Sequence, residues 1–259
     1  MKVVILCGGQ GMRLREETET KPKPMVEIGG MPILWHIMKT YATYGFKDFI
    51  LCLGYKGEVI KEYFYNYEFL SNDFTIELGS KNVTVYPRHE EQGWKVTLVD
   101  TGINAMTGSR VKKIEKFIDG DTFMLTYGDG VIDMDINLLN KFHKDHGRIA
   151  TVTGVSPQSR YGELVIRNDH VVSFSEKPTD NQNLISGGYF VFNKKIFSYL
   201  SELDECVLEK DALQKLAADG ELKVHAHKGF WQCMDTYRDY VYLQELWKKG
   251  NASWKRWDK

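Results

Sequence analysis

Short, mostly apolar runs recur along the first 155 residues, and each is followed by a stretch with apolar residues three and four apart. Residues 3–7, 49–53, 123–127 and 150–155 have strand length and little polar alternation, which predicts strands buried on both faces. Residues 33–44, 59–67 and 136–146 carry helical spacing, and Pro32 precedes the first of them as a good first-turn residue. Repetition of strand and helix in this order predicts an α/β protein with a mainly parallel sheet covered on both faces. Between residues 69 and 117 the pattern changes. Residues 83–86 and 96–99 read as short strands around a polar loop at 88–94, and residues 105–110 read as a small, flexible, cationic turn. This stretch is expected to be a β insertion on the edge of the sheet. Later come strands at 164–166, 171–174 and 188–192 and helices at 208–218 and 237–248, with no repeat and no linker, so residues 1–259 are expected to form one domain.

The first strand empties into Gly8-Gly9-Gln10-Gly11-Met12-Arg13, and Lys21-Pro22-Lys23-Pro24 follows. Glycines admit positive φ and bring backbone N–H groups close to an anion. Arg13, Lys21 and Lys23 place cations at the same point, which makes this bend a phosphate-binding candidate. It is not a Walker A loop, because no Gly-Lys-Ser/Thr follows Gly11. Nor does it match a dinucleotide fingerprint, since Leu14 stands at the third small position and the second strand ends in Gly54-Tyr55-Lys56 without an acidic residue.

Two further features fall where strands end, the region in which open parallel sheets bind ligands. Asp129 lies between Gly128 and Gly130, and Asp235 closes the run from Gly229. Two distant aspartates meeting beside a phosphate loop suit Mg²⁺, a hard cation that takes one or two carboxylates plus substrate phosphates. Glu176 and Lys177, ahead of Pro178, are placed to meet hydroxyls and a second phosphate. His225 and His227 lack the further Cys or His that a zinc site requires, and His143 and His146 are expected at the surface. No Ser-His-Asp or Cys-His arrangement is visible, so the chemistry rests on positioning and neutralising phosphates.

Bulk properties narrow the partners. A formal net charge of −1 argues against a nucleic-acid-binding face. The four cysteines, Cys7, Cys52, Cys206 and Cys233, form no C-x-x-C pair and read as reduced packing residues. No apolar stretch reaches bilayer length, and a cytoplasmic protein without membrane contact is expected. The tryptophan-rich tail is expected to pack on the body or on a neighbouring subunit.

The glycine loop with Lys21 to Val26, the run from Ile28 to Met38, Trp94 to Gly102, Thr126 to Gly130 and Gly229 to Asp235 together resemble sugar-1-phosphate nucleotidyltransferases. The likeness runs nearly end to end and is closest to the branch that uses CTP and α-glucose 1-phosphate. It implies a Rossmann-like three-layer α/β/α fold with a mixed sheet, and formation of CDP-glucose and pyrophosphate with Mg²⁺ on Asp129 and Asp235. By the same resemblance, Arg13, Lys23 and Asp129 are the catalytic set. Leu6, Cys7, Gly8, Gly9, Gln10, Gly11 and Met12 meet the nucleotide with Thr107 and Arg110, while Gly162, Glu176, Lys177 and Gly188 meet the sugar phosphate. Met12 stands where the family usually has a hydroxyl residue. The resemblance further implies a homo-oligomer, often a hexamer, serving dideoxy-sugar and surface-polysaccharide synthesis. Another sugar 1-phosphate such as a heptose, another nucleoside triphosphate, or a silent nucleotide-sensing subunit are the alternatives.

Overall fold

The computed structural model describes residues 1–156, 163–167, 170–175 and 184–257. Among them, seven strands form the central sheet: β1 (Lys2–Leu6), β2 (Asp48–Leu53), β3 (Lys95–Asp100), β4 (Thr122–Tyr127), β5 (Ala150–Val155), β6 (Ile185–Asn193) and β7 (Leu222–His227). Their spatial order is β7-β5-β6-β4-β1-β2-β3. Every neighbouring pair is parallel except those of β6, which runs antiparallel to both β5 and β4. The sheet is therefore mixed and mainly parallel, as the strand–helix rhythm predicts. From β1 the chain builds outward through β2 to β3, then returns to place β4 on the other side of β1. Loops leaving β1 and β4 diverge at this reversal and open a crevice between them.

Alternate residues of each strand feed two separate cores. Val3, Ile5, Phe49, Leu51, Met124 and Val191 face helices α1 (Ile33–Thr43), α2 (Gly57–Tyr65), α4 (Ile136–His146) and α5 (Tyr237–Lys248). Val4, Ile50, Phe123, Leu125, Phe190 and Phe192 face α3 (Thr107–Lys113) and the helical stretch Leu208–Leu213 and Gln214–Ala218. All these strand residues are fully buried, and each such side chain contributes about 1.5–3 kcal/mol relative to exposure. Continuous apolar strands and two covered faces are the same fact seen at two levels.

Three expectations change. The stretch from 69 to 117 is not one insertion: residues 95–100 are the edge strand β3 of the main sheet, and only Asp73–Ile76 and Val83–Tyr86 form a separate two-stranded ribbon. This edge strand is only partly buried along its length and exposed at both ends, which gives it the look of an appended strand. Residues 105–110 do not form a flexible turn, because helix α3 begins at Thr107. His143 is buried, not on the surface, and its Nδ1 meets Thr151 Oγ1 at 2.9 Å, with His146 Nε2 on the same hydroxyl at 2.7 Å. Burial, helped by the neighbouring His146, lowers the His143 pKa to about 4.

The tail packs on the body. Trp254 is fully buried, and Trp35, Trp247, Trp254 and Trp257 surround His36 with ring centroids 4.9–6.2 Å away. Burial lowers the His36 pKa to about 4, and the neutral ring pairs through Nε2 with the Ile28 carbonyl at 2.8 Å. No helix among the described residues is long and apolar enough to cross a membrane.

Candidate active site

Beyond β1 the chain turns through the glycine loop, with Gly11 at φ +63°. The loop is pinned from below. Cys7 N–H donates to the Cys52 carbonyl at 2.9 Å, and Gly8 O accepts from Tyr55 N–H at 3.3 Å and from Arg110 Nη2 at 3.1 Å. A Cβ at Gly8 would stand 2.1 Å from Arg110 Nη1, so glycine here makes room for the guanidinium. Arg110 itself is buried and also donates to Leu53 O at 2.8 Å, Thr101 Oγ1 at 2.7 Å and Ile103 O at 3.4 Å. Its donors are directed into the protein, where they brace the loop.

At the end of β4, Gly128 N–H donates to Leu6 O at 3.0 Å, and a Cβ on Gly128 would come within 2.9 Å of that carbonyl and of Pro24 Cγ. This close approach sets Asp129 beside the glycine loop. A short antiparallel ribbon, Gly130–Ile132 with Trp231–Cys233, pairs Gly130 with Cys233, and Met234 N–H donates to Asp129 O at 2.8 Å. Asp235 is thereby carried next to Asp129. Thr236 and Asp239 then form a reciprocal capping box at the start of α5, and Asp239 Oδ2 also accepts from Asp235 N–H at 3.2 Å.

Lys23 joins the two carboxylates, its Nζ lying 2.7 Å from Asp129 Oδ2 and 2.6 Å from Asp235 Oδ1. Arg13 Nη1 meets Asp235 Oδ2 at 3.1 Å. Burial alone would lower the Lys23 pKa, but the charge and hydrogen bonds of the two aspartates outweigh it and raise the ammonium above its ordinary value. Burial pushes Asp235 up, and the hydrogen bond and charge of Lys23, with Arg13 behind them, hold it below the usual carboxylate range. A cation already occupies the point where the carboxylates converge, as their charges demand.

These groups border a cavity of about 540 Å³. Leu6 through Arg13, with Lys23, Thr107, Arg110 and Asp129, line it as the sequence reading expects, and Met12 is among its most exposed members. Gly188, at φ +77°, lies behind the wall: a Cβ there would be 2.5 Å from the Tyr127 ring. The expected sugar-phosphate residues Gly162, Glu176 and Lys177 fall outside the described residues.

Three residues escaped the sequence reading. Tyr127 lines the cavity and donates its hydroxyl to Glu209, whose other oxygen accepts from Thr107 Oγ1 at 2.7 Å. Tyr127 could have been found from its place just before Gly128-Asp129, whereas Glu209 carries no local signal. Cys233 is the third: one donor atom each from Asp129, Cys233 and Asp235 falls within 4.8 Å of the others. Burial and the two aspartates raise its thiol well above the ordinary range. The paired carboxylates fit a divalent cation, since two acidic side chains at one point need about two units of positive charge.

A family model described as nucleotidyl transferase matches residues 2–249. The chain is 51% identical over 259 residues to the glucose-1-phosphate cytidylyltransferase of Salmonella typhimurium, with 100% of both chains covered. It is 43% identical over 257 residues to the Bacillus subtilis protein named "Probable glucose-1-phosphate cytidylyltransferase", covering 99% of this chain and 100% of that one. Among solved structures, HddC from Yersinia pseudotuberculosis matches with a TM-score of 0.68 at 27% identity, covering 95% of this chain and 99% of the other.

Proposed function

The chain belongs to the nucleotidyl transferase family, and from that premise we propose that it transfers the cytidylyl group of CTP to α-D-glucose 1-phosphate, giving CDP-glucose and pyrophosphate. The observation that carries the reading is the meeting of Lys23, Asp129 and Asp235 at the mouth of a glycine-loop cavity. Full-length relatives named for this reaction support the choice of substrates.

A phosphate oxygen of the sugar phosphate attacks the α-phosphorus of CTP, and the bond to the β-phosphate oxygen breaks in line. Catalysis then consists of holding both anions and neutralising charge, with no protein nucleophile. Backbone N–H groups from Gly8 to Gly11 receive the triphosphate, and Arg13, with most of its side chain exposed, grips the departing pyrophosphate. Asp129 and Asp235 would hold Mg²⁺, which would supply charge neutralisation at the phosphates. Lys23, which lines the cavity, neutralises charge building on the α-phosphoryl group. Arg110 acts through Gly8, keeping the loop's donors aimed outward. Lys177 and Glu176 are assigned to the sugar phosphate and a sugar hydroxyl. The separate ribbon exposes Phe74, Ile76, Val83 and Tyr86, and is the surface we assign to self-association. CDP-glucose would feed dideoxy-sugar synthesis for surface polysaccharide.

The test is a matrix of nucleoside triphosphates against sugar 1-phosphates with Mg²⁺, read by pyrophosphate release. Turnover confined to CTP with glucose 1-phosphate is the expected result. Release with a heptose 1-phosphate alone, or with UTP alone, would replace the substrate assignment while leaving the reaction class in place.

A further inference from the structure

Cys233 gives the carboxylate pair a donor of a different chemical kind. It ends the strand of the Gly130–Ile132 and Trp231–Cys233 ribbon, two residues before Asp235, and is half-buried. Its sulfur and one oxygen from each aspartate form a single group within 4.8 Å. An oxygen and a sulfur donor on one tetrahedral ion, with bonds of about 2.1 Å and about 2.3 Å, lie about 3.6 Å apart. Side-chain rotations that draw the three donors together by about an ångström therefore bring them onto one cation. Cys7, Cys52 and Cys206 are buried and stand outside this group, so no other cysteine competes for the role.

Oxygen donors suit Mg²⁺, and a thiolate suits Zn²⁺ and its neighbours in the first transition row. We infer that Cys233 is a third ligand of the site, coordinating as thiolate when a thiophilic divalent cation enters, so that the site accepts cations of the Zn²⁺ and Co²⁺ class as well as Mg²⁺. The inference rests on the reading of Asp129 and Asp235 as metal ligands. Entry of the cation displaces the Lys23 ammonium from the carboxylates. The S–H bond of Cys233 breaks, its proton goes to the buffer, and the electron pair left on sulfur forms the bond to the metal, with no change of oxidation state.

Co²⁺ is the probe, titrated into the full chain with and without a non-hydrolysable CTP analogue and followed by absorption spectroscopy. The wild type is expected to show a near-ultraviolet sulfur-to-cobalt charge-transfer band together with weak visible bands. Cys233→Ser and Cys233→Ala should each lose the charge-transfer band, keep visible bands, and bind Co²⁺ about tenfold or more weakly, the scale on which supporting groups act at metal sites. Calorimetry in buffers of different ionisation enthalpy should find one more proton released by the wild type than by Cys233→Ala. Bound cobalt without the charge-transfer band, or a band that survives in both variants, overturns the role of Cys233 and leaves the metal-binding aspartates standing. Failure of the wild type to bind cobalt under either condition overturns the metal assignment, and this inference with it.

Discussion

Two lysine–carboxylate clusters sit on the same fold and show opposite designs. Lys39 of α1 and Glu91 are both buried, 2.7 Å apart, with Glu90 at 3.5 Å and the Trp35 ring 5.4 Å from the ammonium. Lys23 makes contacts of the same length but with two carboxylates, and the group opens onto the cavity. In the first cluster, one buried acid meets one buried base at short distance, and the second acid, Glu90, sits farther out and exposed. In the second, two aspartates converge at a point that a monovalent ammonium only half neutralises, with Arg13 supplying the remainder from outside. The contact distances cannot tell the two apart. Burial of the acid and access do: a buried pair fixes structure, whereas two half-buried acids beside a cavity can exchange their cation.

The largest effect that would break this contrast is on stability. Lys39→Ala strands Glu91 as a buried charge, and removing one partner of a buried pair costs about 3–5 kcal/mol. Denaturant unfolding should report a loss of this size, while turnover per folded molecule stays near the wild-type value. A variant that kept its stability, or lost turnover in proportion, would show that the two clusters do not divide the labour as described.

Asp129→Asn should invert that pattern. Lys23 keeps Asp235 as a partner, so unfolding should change little. Turnover should fall by at least about 10²-fold, equivalent to about 2.7 kcal/mol of transition-state stabilisation. Pyrophosphate release and a denaturant melt on the same preparation measure both halves. Near-normal turnover would remove Asp129 from the site.

What the sequence made legible follows the range of the interactions. The glycine loop and Asp129 between its glycines are local statements, written in consecutive residues, and the structure brings both to the same cavity. The bonds from Lys23 to Asp129 and Asp235 span 106 and 212 residues, and only the folded sheet, with the ribbon that carries Asp235, produces them. Helix α3 was hidden because Gly108 and Ser109 are weak helix formers, and packing overrides them: Ser109 Oγ donates to Glu202 O at 2.9 Å, and a Cβ at Gly108 would lie 2.7 Å from Cys206 Sγ. The inward contacts of Arg110, on three backbone carbonyls and the Thr101 hydroxyl, were likewise not readable from the sequence. The pairing of Lys39 with Glu91 was equally invisible, since a polar loop looks solvated until something buries it.

The smallest expected effect lies in the acid limb of stability. Burial pushes the Glu91 carboxyl up, but the hydrogen bond and charge of Lys39 outweigh it and hold the group below its ordinary 4.5. A carboxyl depressed in the folded state binds its proton more readily when unfolded. Its contribution is therefore complete above about pH 4.5 and drains away as pH falls through the folded value. In Lys39→Ala the burial remains and its main counterweight is gone, leaving only hydrogen bonds from Tyr67 and the backbone, so the carboxyl rises and acid should relieve the stranded charge. Wild type and Asp129→Asn should thus share a falling limb below pH 4.5, because both retain the Lys39 pair and the pairing of Asp235 with Lys23. Lys39→Ala should fall less steeply there, narrowing its deficit by a fraction of its value at neutral pH. Denaturant midpoints at pH 7, 5, 4 and 3 measure the slopes. Parallel limbs for all three proteins would mean that Glu91 is not held low by Lys39.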